Sequence, residues 1–160
     1  MTAPFPPIRR GPPGESRRLS MENAAKAVEL VKEALKFFRA GTPIVHHGPA
    51  LHVDVPVLYL DFAIDRVHYD PRTSTPSPKG NPVHVEDVGD VKPEDVMDVI
   101  DRVLGESRVV EACEFREPED CWVVPVAWKS FIIMHVRVSL DGSELIPDYG
   151  LTEEVRRHGV

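Results

Sequence analysis

Hydrophobic residues recur at helical spacing in two stretches and at alternate positions in several shorter ones. Ala24, Val28, Val31, Leu35 and Phe38 follow at intervals of four, three, four and three, one stripe of an amphipathic helix. Ser20 stands where an N-cap would, and Gly41 stops the run. Strands are expected over about 43–47, 51–57 and 58–69. In the second, Leu51, Val53, Val55 and Val57 alternate with His52, Asp54 and Pro56. In the third, Leu58, Leu60, Phe62 and Ile64 alternate with Tyr59, Asp61, Ala63 and Asp65, so each strand buries one face. Residues 70–82 read as a loop from their Pro, Gly, Ser and Thr content.

A second helix starts at Pro93, with Glu94 and Asp95 in its first turn and Val96, Ile100 and Val103 as its stripe. Gly105 ends it. Strands are expected over about 108–115, 121–128 and 131–140, then an Asp141-Gly142 turn. Thr152 is placed to cap a short last helix stopped by Gly159. The fold class is therefore α+β. It is a single domain over 20–160 built from two αβββ halves, about 20–82 and 90–150, each helix lying on its own antiparallel sheet. Shifting the chain by 71 residues lays Leu51, Val53, Val55 and Val57 over Trp122, Val124, Val126 and Trp128. The third strands superpose at a shift of 72, so an internal duplication needs one inserted residue near Trp128 to Phe131.

The stretch 94–146 runs helix, short strand, turn, an aromatic-bearing strand with Trp122, then a strand ending in Asp141-Gly142. In that layout it resembles a PepSY-type domain, and residues 20–76 could form a tandem copy. The resemblance implies an inhibitory or binding module without catalytic residues, of a kind usually found outside the cytoplasmic membrane beside peptidases.

Composition narrows the function classes. The chain of 160 residues carries a net charge of −7. Residues 1–19 hold four arginines against Glu15, so the body is more acidic than the whole and repels phosphate. Nucleic acid is not an expected partner. No apolar run reaches the roughly 20 residues of a membrane span. The leader, with five prolines among 1–19, has no apolar core of a secretory signal and reads as a disordered Pro/Arg-rich tail. A cytoplasmic location is expected. Glutamine is absent and asparagine occurs only at Asn23 and Asn81, a thermophile-like composition. If Cys113 and Cys121 flank a hairpin turn at 117–120, Cys121 pairs near Arg116 and Cys113 near Val124. The thiols then miss each other and stay free.

Candidate chemistry concentrates in "PIVHHGPALHVDVPV", residues 43–57. With Gly48-Pro49 at the hairpin tip, His46 lies opposite Leu51 and faces inward. His47, His52 and Asp54 then face outward together. That set could hold a divalent transition metal, with Asp61 or Asp65 nearby. His68 shares the parity of Phe62 and Ile64 and is expected toward the core. The competing reading is a solvated polar sheet face. Cys113 with His135 sits in no nucleophile signature, and "GPPG" and "KGNP" are too proline-broken to cradle phosphate. Trp122 and Trp128 share the inward parity of Val124 and Val126.

Val123, Pro125, Phe131 and Ile133 take the opposite parity in the second half and leave an apolar sheet face that needs covering. The other half, a homodimer partner or a client protein could cover it, with Val123, Phe131 and Ile133 as the interface. These features favour a non-enzymatic binding or accessory module without a cofactor. The alternative is a small metal-dependent enzyme or metal-binding protein using His47, His52 and Asp54.

Overall fold

The computed structural model describes residues 5–10 and 19–158. Helix α1 (Met21–Leu35) begins where Ser20 accepts a hydrogen bond from the Asn23 amide, satisfying one of the open donors of the first turn. Five strands follow: β1 (Arg39–Ala40), β2 (Ile44–His46), β3 (His52–Tyr59), β4 (Phe62–Asp70) and β5 (Thr75–Pro76). They form one antiparallel sheet in the order β1-β3-β4-β5, with β2 also pairing β3. Helix α2 (Pro93–Gly105) leads into β6 (Arg108–Val109), β7 (Glu114–Arg116), a single 3-10 turn, β8 (Cys121–Trp128), β9 (Phe131–Ser139) and β10 (Leu145–Ile146). These build a second antiparallel sheet in the order β10-β9-β8-β6, with β7 on β8. Helix α3 (Tyr149–Arg157) closes the described chain. The architecture is α+β with two sheet halves.

The long strands β3 and β4 correspond to β8 and β9 at an offset of 69, not 71, and β2 corresponds to β7 at 70. The tight turns carry positive φ at Leu60 and Lys129, and both sheets change register at matching points, Val57/Leu58 and Val126/Ala127. A shift by two leaves a period-2 pattern unchanged, so the core face was legible even with the wrong offset. The two bulges account for the rest. Ile64 and Ile133 are the extra residues, and a bulge reverses the alternation beyond it. Ile133 therefore enters the core together with Met134, both fully buried, and is not part of an outward apolar face. Val123 is buried beside Cys121 and Ile146, and Phe131 is half-buried with its ring 5.8 Å from that of Trp128. The interface expected at these residues is thus largely packed within the chain.

Each helix packs against the other half's sheet rather than its own. Helix α1 lies on β6, β8 and β9, and α2 meets β1 and β5. Asp101 on α2 accepts the β1 amide of Ala40 at 2.7 Å. Gly142, in the turn after β9 at φ +76°, approaches α1 so closely that a Cβ there would stand 2.7 Å from the Asn23 carbonyl. One continuous core results, joining Val28, Val31, Ile100, Val55, Val67, Val124 and Val136.

The leader departs from the disordered tail expected for 1–19. Ile8 is buried and bridges Leu145 in parallel, with Arg9 N donating to Leu145 O at 2.7 Å and Leu145 N to Pro7 O at 2.9 Å. The Tyr59 hydroxyl donates to Pro6 O at 2.5 Å, and Phe5 stacks edge-on to Phe37 at 4.6 Å. Five prolines and two glycines hid one short strap whose apolar side chain seals the core. Residues 1–4 and 11–18 of the expected tail lie outside the described residues, and Leu19 is exposed. Thr152 does not cap α3: Asp148 does, accepting from Leu151 N, while the Thr152 hydroxyl accepts from Ala63 N and docks the helix on β4.

Candidate functional site

The outer face of the first sheet gathers four histidines and one carboxylate. Asp54 on β3 faces His68 directly across the β4 ladder, and His46 on β2 faces His52 across the β2–β3 ladder. Residues directly opposite share a face, as do residues two apart, so all four side chains meet. His68 Nδ1 lies 2.6 Å from Asp54 Oδ1. His46 Nε2 and His52 Nε2 lie 3.0 and 3.5 Å from the other oxygen, Oδ2. The His46 and His52 rings stack at 4.7 Å, and His84 stands edge-on to His52 at 5.3 Å. The segment carrying His84 is held by a reciprocal backbone pair between Val85 and Leu51. Arg66 on β4 completes the cluster, with Nη1 at 3.6 Å from Asp54 Oδ2 and Nη2 at 3.8 Å from Glu154 of α3.

His46, His52 and Asp54 each offer one ligand atom, all within 4.8 Å of one another. The triad expected from sequence was His47, His52 and Asp54, and His47 is instead exposed outside the cluster. The hairpin register is one residue longer than a Gly48-Pro49 tip would give: His46 pairs with His52 and Ile44 with Asp54. A one-residue slip exchanges the two faces of a strand, so His46 replaces His47. His68 was expected toward the core, but the bulge at Ile64 returns it to the outer face beside Arg66. No sequence signal placed His84 here. Asp61 is exposed, and Asp65 is engaged elsewhere by Lys79 at 2.8 Å and the His135 amide at 2.7 Å.

Asp54 is only 2% exposed. Burial alone would raise its carboxyl, but the His68 hydrogen bond and the charges of His68, His46 and His52 outweigh it and hold the group below its ordinary value. Burial pushes the His52 imidazole down, against an opposing pull from Asp54. These directions favour the ionised carboxylate and, at His52, the unprotonated imidazole, the forms in which each ligates a metal. The second sheet supplies a contrast. At the same offset it places Val123 where the first has Asp54 and Arg137 where the first has His68. Val123 is buried without a charge to compensate, so this fold does not require a carboxylate at that position.

The other sequence candidates have structural roles. The Cys113 thiol donates to Ala24 O of α1 at 3.6 Å, and His135 faces the sheet junction with Asp65 and Lys79. Both cysteines are free, and Cys121 pairs with Arg116 as the hairpin reading anticipated. The Trp122 indole donates to Leu140 O and that of Trp128 to Glu106, both rings being buried. Among the described residues no helix is long and apolar enough to cross a membrane. No family model, curated protein or solved structure matches this chain.

Proposed function

We propose that this chain is a non-enzymatic binding module whose ligand is a divalent transition-metal ion held by His46, His52 and Asp54. The carrying observation is the convergence of two imidazole nitrogens on one buried carboxylate oxygen. Donors about 2.0–2.1 Å from a tetrahedral zinc ion lie roughly 3.3 Å apart. The separations from Asp54 Oδ2, 3.0 and 3.5 Å, bracket that value, and the third donor pair lies within 4.8 Å. His68 occupies Asp54 Oδ1 and leaves Oδ2 to the ion, the outer hydrogen bond that orients a ligating carboxylate. Two imidazoles and one carboxylate suit zinc or iron(II) better than calcium or magnesium. The resemblance of residues 94–146 to a PepSY-type layout is what favours a module that binds over one that transforms.

Protein prepared without a polyhistidine tag and stripped with chelator should bind one zinc or cobalt ion in calorimetric titration. His46→Ala and His52→Ala should each weaken binding by about ten- to a hundredfold, and His47→Ala should leave it unchanged. Absence of binding at submillimolar metal, or loss with His47→Ala alone, would overturn the assignment.

The count of three protein donors favours a second reading, a small metal-dependent enzyme, because catalytic zinc sites keep a fourth position open. Hydrolysis of activated esters by the metal-loaded protein, abolished in His52→Ala, would select it over the binding module.

A further inference from the structure

Arg66 stands on two of the three proposed ligands. Its Nη1 lies 3.4 Å from His46 Nε2 and 3.6 Å from Asp54 Oδ2, while those two atoms are themselves 3.0 Å apart. Donor chemistry lets His46 Nε2 serve only one of its two neighbours at a time. A guanidinium only donates, so a bond to His46 Nε2 requires that nitrogen to be a bare acceptor. An ionised carboxylate only accepts, so a bond to Asp54 requires the same nitrogen to carry a proton. One imidazole nitrogen cannot do both. With Nε2 unprotonated, His46 and Asp54 present two acceptors 3.0 Å apart with the Arg66 guanidinium beside both; with it protonated, His46 donates to Asp54 and the guanidinium pairs with the carboxylate alone.

Arg66 is also poised to leave. Its second nitrogen is 3.8 Å from Glu154 Oε2, and Glu154 belongs to a helix fixed on β4 by Ala63 N to Thr152 Oγ1 at 2.9 Å and Asp148 N to Ala63 O at 2.8 Å. We propose that Arg66 is a displaceable internal counter-ion, neutralising Asp54 until a divalent ion takes its place and drives the guanidinium onto Glu154 of α3. This inference rests on the metal reading and adds its regulation. The site exchanges one cation for another, and occupancy is relayed to α3.

The test is a zinc titration of the chelator-stripped full chain, comparing wild type with Arg66→Met and Glu154→Gln. Arg66→Met keeps an apolar stem and removes the competing charge, so zinc affinity should rise at least about tenfold. Glu154→Gln removes the negative charge that holds the displaced guanidinium and should weaken zinc binding by about three- to tenfold. Hydrogen exchange supplies a second readout: zinc should raise protection of the amides of 149–157 in wild type and not in Arg66→Met. Wild-type binding with an unchanged or weaker affinity in Arg66→Met overturns the counter-ion role and leaves the metal site standing. If Arg66→Met does not fold, an unchanged affinity in Glu154→Gln overturns it alone. Failure of wild type and both variants to bind zinc removes the metal reading and the inference together.

Discussion

His135 and Arg66 occupy equivalent places in the two sheets, opposite Pro125 and Pro56 respectively, yet their surroundings give them different tasks. Burial is the largest influence on the His135 imidazole and pushes it down; Lys79 and Arg116 push the same way, and Asp65 opposes them. A histidine with a folded pKa below its unfolded value of about 6.5 contributes stability that is present above 6.5 and lost as pH falls through the folded pKa. Melting temperature in chelator-treated protein should therefore fall between pH 7 and pH 5. His52, also lowered by burial, adds to the same slope. His135→Gln should make the fall shallower. An equal slope in wild type and variant would show that this imidazole does not contribute to the pH dependence.

At the scale of elements, the strap over residues 5–10 and strand β3 hold each other. Tyr59 is fully buried, and burial pushes its hydroxyl up to about 12, so it stays a hydrogen-bond donor at any ordinary pH. Tyr59→Phe leaves Pro6 O without that donor and should destabilise by about 1 kcal/mol, or about 2–4 °C in melting temperature at this chain length. Ile8→Asp places a carboxylate in an apolar seam against Leu145 and should lower the melting temperature by more than about 5 °C. Melts of both variants unchanged from wild type would mean that the strap contributes no stability.

Across the whole molecule, the crossed helices make the halves interdependent. Neither sheet keeps its covering helix if the chain is cut between β5 and α2, because α1 belongs to the second sheet and α2 to the first. Large apolar faces such as Val53, Val55 and Val57 would then meet water, at about 1.5–3 kcal/mol for each side chain uncovered. Fragments 1–90 and 91–160 should each fail to melt cooperatively alone and should recover a cooperative transition when mixed. A monomeric fragment with its own sharp melt would show that one half suffices.

Local pattern determined a good deal of this protein. The 3.6-residue stripes placed α2 at 93–105, and the alternation of Leu51 to Val57 and of Trp122 to Trp128 identified which residues of β3 and β8 enter the core. Those signals survive because they depend only on neighbours a few positions away. What tertiary structure alone decided was parity and partnership. One extra residue in the turn after β2 replaced His47 by His46, and one bulge at Ile64 moved His68 from the core to Asp54. The strap at Ile8 and the exchange of helices between sheets depend on residues more than a hundred positions apart, or on the opposite half. A strand has only two faces, so a single-residue change in register sends every later side chain to the other one, and only the closed set of cross-strand hydrogen bonds selects between them.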